Sequence, residues 1–120
     1  MARLADLVIE EVDGNALLAR VRGEVDASNA AELRMAIVER LSNDTTGLIL
    51  DFSQATYLDS TGIALLFELA RGLSARRQTL RLAVPPDAPI RRVVDLCDVG
   101  SVAAVDDAPA DSLAAFSEPE

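Results

Sequence analysis

The order of patterns along this chain predicts an α/β domain: a mixed β-sheet opened by an N-terminal hairpin, with helices packed mainly on one face. Three observations carry that expectation. Two Val- and Leu-rich segments near the N-terminus flank a short turn sequence, the mark of a β-hairpin. After them, short apolar runs alternate with segments of helical period, and each strand–helix–strand unit favours parallel pairing. The chain has 120 residues, 50% of them hydrophobic, enough for one core of ordinary domain size.

The hairpin is read from "LADLVIEEVDGNALLARVRGEV". Residues 4–12 and 16–22 are the strands, and Asp13-Gly14-Asn15 is turn chemistry between them. The period then changes in "DASNAAELRMAIVERL". Ala31, Leu33, Met35, Ala36, Ile37, Val38 and Leu41 suit one broad helical face, with Ser28 as the cap or Asn29 as the other choice. "SNDTTG" is a loop, and "LILDFS" is a continuous apolar run expected of a buried central strand. "STGIALLFELARGLSARR" predicts a second helix ending near Gly72. "TLRLAV" is a strand that Pro85-Pro86 stops. "APIRRVVDLCDV" is a third helix with a break at Gly100, "SVAAV" a short last strand, and "DAPADSLAAFS" a terminal helix or turn. A single domain over residues 1–116 and an acidic tail at 117–120 follow, without an internal repeat or linker. From Val93 onward there are seven acids and no base, which reads as a solvated, partly frayed end.

Absent residue types exclude several chemistries. There is no His, so Ser-His-Asp catalysis and His-ligated metal sites are out. All 11 basic residues are Arg, which removes the P-loop lysine, Schiff-base chemistry and the lysine of a receiver domain. Asp51 does end a central strand, as a receiver's phosphoacceptor would. The missing Lys, and the lack of an acidic pair after the first strand, argue against that role. No cofactor or metal is implied. A net charge of -9 disfavours nucleic acid and anionic membrane as partners and suits a basic protein patch. The single Cys97 cannot form an intramolecular disulfide and reads as a buried small apolar residue. One Cys and no signal peptide point to the cytoplasm, and no apolar run approaches the roughly 20 residues of a membrane helix.

The informative stretch is "YLDSTGIALL", residues 57–66. Asp59, Ser60, Thr61 and Gly62 interrupt an apolar run between a strand and a helix. A structural role accounts for them: Asp59 or Ser60 caps the helix, and Gly62 lets another backbone approach. A functional role uses the same geometry. A hydroxyl at a helix N-terminus sits where free N–H groups and the helix dipole favour a phosphate, and phosphorylation adds about -1.5 to -2 charge. Ser60 is not a hydrolase nucleophile, because the chain has no His or Lys base. Leu58 also stands where G-x-S-x-G needs its first glycine.

"LDSTGIALL" resembles the D-S-[ST]-G signature of bacterial anti-sigma factor antagonists, the STAS-domain family. "VRGEVDASNAAEL", residues 21–33, is similar to that family's G-E-[LV]-D segment. The order, the spacing and the length also match, over roughly residues 4–116. The resemblance implies a STAS-type single domain that is not an enzyme. It implies that Ser60 is the serine phosphorylated by an anti-sigma factor serine kinase. It also implies partner switching: binding of that kinase when unphosphorylated, release on phosphorylation, a freed sigma factor, and resetting by a metal-dependent serine phosphatase. Glu24 and Asp26 match acidic positions beside the phosphosite. Asp59 and Thr61 flank it, and Gly62, Ile63 and Leu66 lie on the helix face a partner covers. Glu24 and Asp26 read equally well, from the residues alone, as a strand-end and turn pair in solvent. Ala64 stands where many relatives carry Gly, and the acidic end is outside the family pattern. The alternative setting is a STAS subunit of a transporter-associated complex.

Overall fold

A computed structural model describes residues 6–117. Strand β1 (Asp6–Val12) runs into β2 (Ala16–Val25) through a tight turn in which Gly14 has φ 80° and Asn15 φ 61°. Those left-handed conformations are what Gly and Asn tolerate and what a hairpin turn requires. Helix α1 (Ala30–Arg40) leads to β3 (Gly47–Leu58), α2 (Ser60–Ala75) to β4 (Thr79–Ala83), and α3 (Pro89–Leu96) to β5 (Ala104–Asp106), before α4 (Pro109–Ser117). The sheet order is β1-β2-β3-β4-β5. β1 pairs antiparallel with β2, and every later pair is parallel. The expected mixed sheet opened by a hairpin is therefore what forms. Residues 4 and 5 of the expected first strand, and 118–120 of the expected tail, lie outside the described residues.

Strand alternation divides the sheet into two faces. Leu17, Ala19 and Val21 of β2, with Leu48, Leu50 and Phe52 of β3, share one core with Ala30, Leu33 and Ile37 of α1. Leu65, Leu66, Leu69 and Leu73 of α2 and Ile90 and Val94 of α3 complete it. The alternate residues Ala16, Leu18, Ile49 and Ala83 are as deeply buried but stand outside that cluster. They face the other side, where α4 packs on β3 and β4. A Cβ on Gly47 would come within 2.5 Å of the Phe116 ring and 2.4 Å of the Thr79 carbonyl, so α4 seats its aromatic where β3 has no side chain. Among the described residues, three helices thus cover one face and one covers the other.

Several sequence expectations shift. The buried stripe of α1 is narrow, Ala30-Leu33-Ile37, while Met35 is 62% and Val38 40% exposed, because α1 meets the sheet and α2 along one edge only. Gly72 is interior to α2, which continues to Ala75. Arg77 at φ 60° follows its C-cap. Helix α3 ends at Leu96 and the chain turns at Asp98, in the left-handed region at φ 59°, rather than breaking at Gly100. That turn carries Val99 into the core and leaves Cys97 exposed. The expected burial of Cys97 is therefore corrected: past Val94, the next inward position belongs to Val99.

The acidic end is folded rather than frayed up to Ser117, while Asp95, Asp98, Asp107 and Asp111 stay exposed to solvent. Arg81 of β4 donates two hydrogen bonds to the Asp106 carboxylate, at 3.0 and 3.1 Å, and the Ser112 hydroxyl of α4 donates a third at 2.6 Å. Arg91 of α3 donates to Asp107 at 3.0 Å, to the Val84 carbonyl at 2.7 Å and to Asp95 at 3.3 Å. The acids gather β4, α3, β5 and α4 at one edge. Burial pushes the Asp106 carboxyl up, but the hydrogen bonds from Arg81 and Ser112 and the Arg81 charge outweigh it, so its pKa is lowered on balance. For Arg91, the Asp107 hydrogen bond is the largest influence and raises the pKa.

Candidate functional site

Both polar segments singled out in the sequence stand at the carboxyl ends of neighbouring parallel strands. Val25 at the end of β2 pairs with Leu58 at the end of β3, and Glu24 pairs with Tyr57. β3 continues past Asp51, the last residue that pairs with β4. The β2–β3 ribbon therefore projects, exposing Glu24 and leaving Tyr57 50% exposed. "SQATY" breaks the apolar run within this extension. Only its inner positions, Ala55 and Leu58, meet the core.

At the turn out of β3, Asp59 takes extended backbone angles and its carboxylate accepts the Gly62 N–H at 2.9 Å. Asp59, not Ser60, is therefore the cap, satisfying one of the orphan donors of the first turn. Ser60 is the first helical residue and is exposed, as is Thr61. The Asp59 N–H donates to the Val25 carbonyl at 3.3 Å, which locks the start of α2 to the end of β2. Gly62 is buried at that junction: a Cβ there would lie 2.5 Å from Leu58 Cδ1 and 3.1 Å from the Val25 carbonyl oxygen. The close approach expected of Gly62 is made to β2.

The neighbouring corner, residues 24–29, is built by two side chains. Asp26, half-buried, accepts from the Ser28 N–H at 2.9 Å and from the Ser28 hydroxyl. Asn29 is 3% exposed. Its Nδ2 donates to the Glu24 carbonyl at 2.8 Å, and its Oδ1 accepts the Asp26 N–H at 3.0 Å. Neither Ser28 nor Asn29 caps α1 through its side chain, although Asn29 holds the cap position.

The sequence profile of the STAS domain matches residues 6–108. The chain belongs to the STAS-domain family. No curated protein sequence matches it. Among solved structures it is similar to an anti-sigma factor antagonist from Mycobacterium paratuberculosis, at TM-score 0.82 and 23% identity over 93% of each chain. It is also similar to the anti-sigma factor antagonist SpoIIAA in its unphosphorylated form, at 0.65 and 23% over 89% of this chain and 93% of that one. The phosphorylated form of the Bacillus cell fate determinant SpoIIAA gives 0.66 and 21%, over 90% and 96%. At these identities the likeness is one of fold.

In this STAS domain Glu24, Asp26, Asp59, Ser60 and Thr61 come together around the β2–β3 ends, and Ile63 is half-buried beside them. Leu66 does not join them. At 0% exposure it faces the core, and buried Gly62 likewise presents no side chain. The expectation that a partner covers these two is corrected: helical periodicity turns both inward, with Leu65 and Leu69. Ala64, exposed, is the outward residue one turn after Ser60. Between α1 and α2 a shallow groove of about 210 Å³ is lined by Ala30, Ala31, Arg34, Thr61, Ala64 and Glu68, among others. Among the described residues there is no group of three or more acidic or Cys side chains placed to hold a metal ion. No helix among them is long and apolar enough to cross a membrane.

Proposed function

We propose that this STAS domain is an anti-sigma factor antagonist that works by partner switching at Ser60. With a free hydroxyl it binds an anti-sigma factor that is also a serine kinase, and so releases a sigma factor. Phosphorylation of Ser60 by that kinase ends the complex, and a metal-dependent serine phosphatase restores it. The observation that carries this reading is the exposed Ser60 at the first turn of α2, side by side with the Glu24–Asp26 corner. An exposed hydroxyl on a rigid helix start is accessible to a kinase. Carboxylates around it attract a basic partner surface and set orientation and on-rate. A dianionic phosphate placed among them repels the same partner groups and adds desolvation cost at the interface. The likeness to an antagonist known in both phosphorylated and unphosphorylated forms supports the same reading.

The test is intact-mass analysis after mixing the protein, Mg-ATP and each candidate anti-sigma factor, with Ser60→Ala as control, followed by calorimetric titration of Ser60→Ala and Ser60→Asp. One added phosphate that disappears in Ser60→Ala is expected. So is weaker binding of Ser60→Asp, by about 2 kcal/mol or more, the scale of an uncompensated charge at an interface. Equal affinities of the two variants for an anti-sigma factor that binds the wild type would sink the switch.

A further inference from the structure

Asn29 occupies the cap position of α1, yet its side chain points back at the strand it follows. One carboxamide satisfies two groups of the acidic corner, the Glu24 carbonyl at 2.8 Å and the Asp26 N–H at 3.0 Å. Its own backbone N–H donates to the Asp26 carbonyl at 3.1 Å. The side chain is 3% exposed. A short-branched amide offers a donor and an acceptor on separate atoms at this reach: a hydroxyl has one shorter-reaching atom for both, Asp lacks the donor, Leu lacks both, and Gln is longer.

The clamp sits just past two irregularities in the sheet. The β2–β3 ladder shifts register between Arg20 and Arg22 and again between Gly23 and Glu24, and only Glu24 and Val25 pair beyond the second shift. Between the two clamped groups lies the Val25 carbonyl, which accepts the Asp59 N–H at 3.3 Å. A continuous path therefore runs from the buried amide, through residues 24–26, to the residue that caps α2 and precedes Ser60.

We infer that Asn29 is a positioning residue for partner recognition, holding the Glu24–Asp26 corner in fixed register with Ser60. This rests on the reading of Ser60 as the switch and of the corner as a partner contact. Without the amide, the Glu24 carbonyl and the Asp26 N–H turn to water, and the two acids lose their place relative to the hydroxyl. Ser60 keeps its own cap, since Asp59 bonds Gly62 independently. Removing Asn29 therefore loosens recognition and leaves the phosphorylated group in place.

The experiment compares Asn29→Ala with Val94→Ala, a core truncation on α3, at a temperature where circular dichroism shows both folded. Steady-state phosphorylation by the kinase that modifies the wild type is expected to show KM raised about tenfold in Asn29→Ala, with kcat nearly unchanged, since orientation of recognition groups is what is lost. Val94→Ala should keep both constants. Amide exchange at Asp26 should speed up in Asn29→Ala alone. Unchanged KM despite faster exchange, unchanged exchange, or an equal KM rise in both variants would each overturn the inference. If no kinase modifies the wild type, the switch reading falls and the inference falls with it. A phosphorylated wild type with an unaltered Asn29→Ala removes the inference alone.

Discussion

Two alanine substitutions on one helix test how α2 is seated, because they should move stability in opposite directions. At Gly62 a new Cβ would stand 2.5 Å from Leu58 Cδ1, 3.2 Å from Leu58 Cγ and 3.1 Å from the Val25 carbonyl oxygen. Leu58 is 5% exposed and cannot swing into solvent, and the carbonyl is backbone already bonded to Asp59. Either Leu58 leaves its rotamer or the start of α2 lifts off β2. Overpacking of this kind costs about 1–3 kcal/mol, and the helix propensity gained by replacing Gly offsets about 0.5–1 kcal/mol of it. A net loss of about 1 kcal/mol is expected, lowering Tm by about 3–6 °C for a domain of this size. At Gly72 nothing lies within 4 Å of the added Cβ, so only the propensity gain remains and Gly72→Ala should stabilise by about 0.5–1 kcal/mol. Urea unfolding of both variants, with m-values compared to the wild type, measures the difference. Gly62→Ala as stable as Gly72→Ala would refute the close seating of α2 on β2, and with it the rigid placement of Ser60.

Asp106→Asn should cost about 1.5–3 kcal/mol at neutral pH, because it removes the charged acceptor of Arg81 and Ser112. Since the folded pKa of Asp106 is lowered below its ordinary value, the stability it contributes is present above the unfolded pKa and is lost as pH falls through the folded one. The gap between wild type and variant, measured by urea unfolding from neutral pH into the acid range, should close on acidification; a gap independent of pH would contradict the ion pair. Cys97 is exposed, so one thiol should react with Ellman's reagent in the native protein without denaturant, and Cys97→Ser should leave stability within about 0.5 kcal/mol. A thiol that reacts only after unfolding would contradict the left-handed turn at Asp98.

Much of the fold was legible because periodicity and turn chemistry agree along most of the chain. Asp13-Gly14-Asn15 between two Val- and Leu-rich runs fixed the hairpin, and "LILDFS" marked the central strand. What escaped had physical reasons. The outer half of β3 is exposed on one face, so its continuous apolar signal stops at "LILDFS". A broad apolar stripe on α1 overstates burial, because Met35 and Val38 stay exposed among the described residues. Position alone could not tell that Cys97 yields the inward place to Val99, since a left-handed Asp98 changes the direction of the chain. The ion pairs of Asp95, Asp106 and Asp107 were not legible because Arg81 and Arg91 lie earlier in the sequence and meet them only in the fold. At the site, the segments 24–26 and 59–63 were visible as motifs. Their contact through the Val25 carbonyl, the inward turn of Leu66 and the clamp by Asn29 needed the structure.

The position of these residues follows from topology. Parallel strands that each feed a helix place the helix starts, with their unpaired N–H groups and capping side chains, at the carboxyl edge of the sheet. Here β2 and β3 outrun β4 at that edge and carry Glu24, Asp26, Asp59 and Ser60 outward together. A small-molecule site would need a concave pocket, commonly about 300–1,000 Å³. The groove beside Thr61 is about 210 Å³, and alanines contribute much of its lining. A projecting ribbon with an exposed hydroxyl and acids on its rim instead suits a surface that another protein covers. Under the proposed switch, a phosphate there would need no rearrangement of this chain to act. The Asp59 cap and the Asn29 clamp hold this scaffold, so on the proposed reading the added charge would be felt at the interface rather than absorbed by the fold.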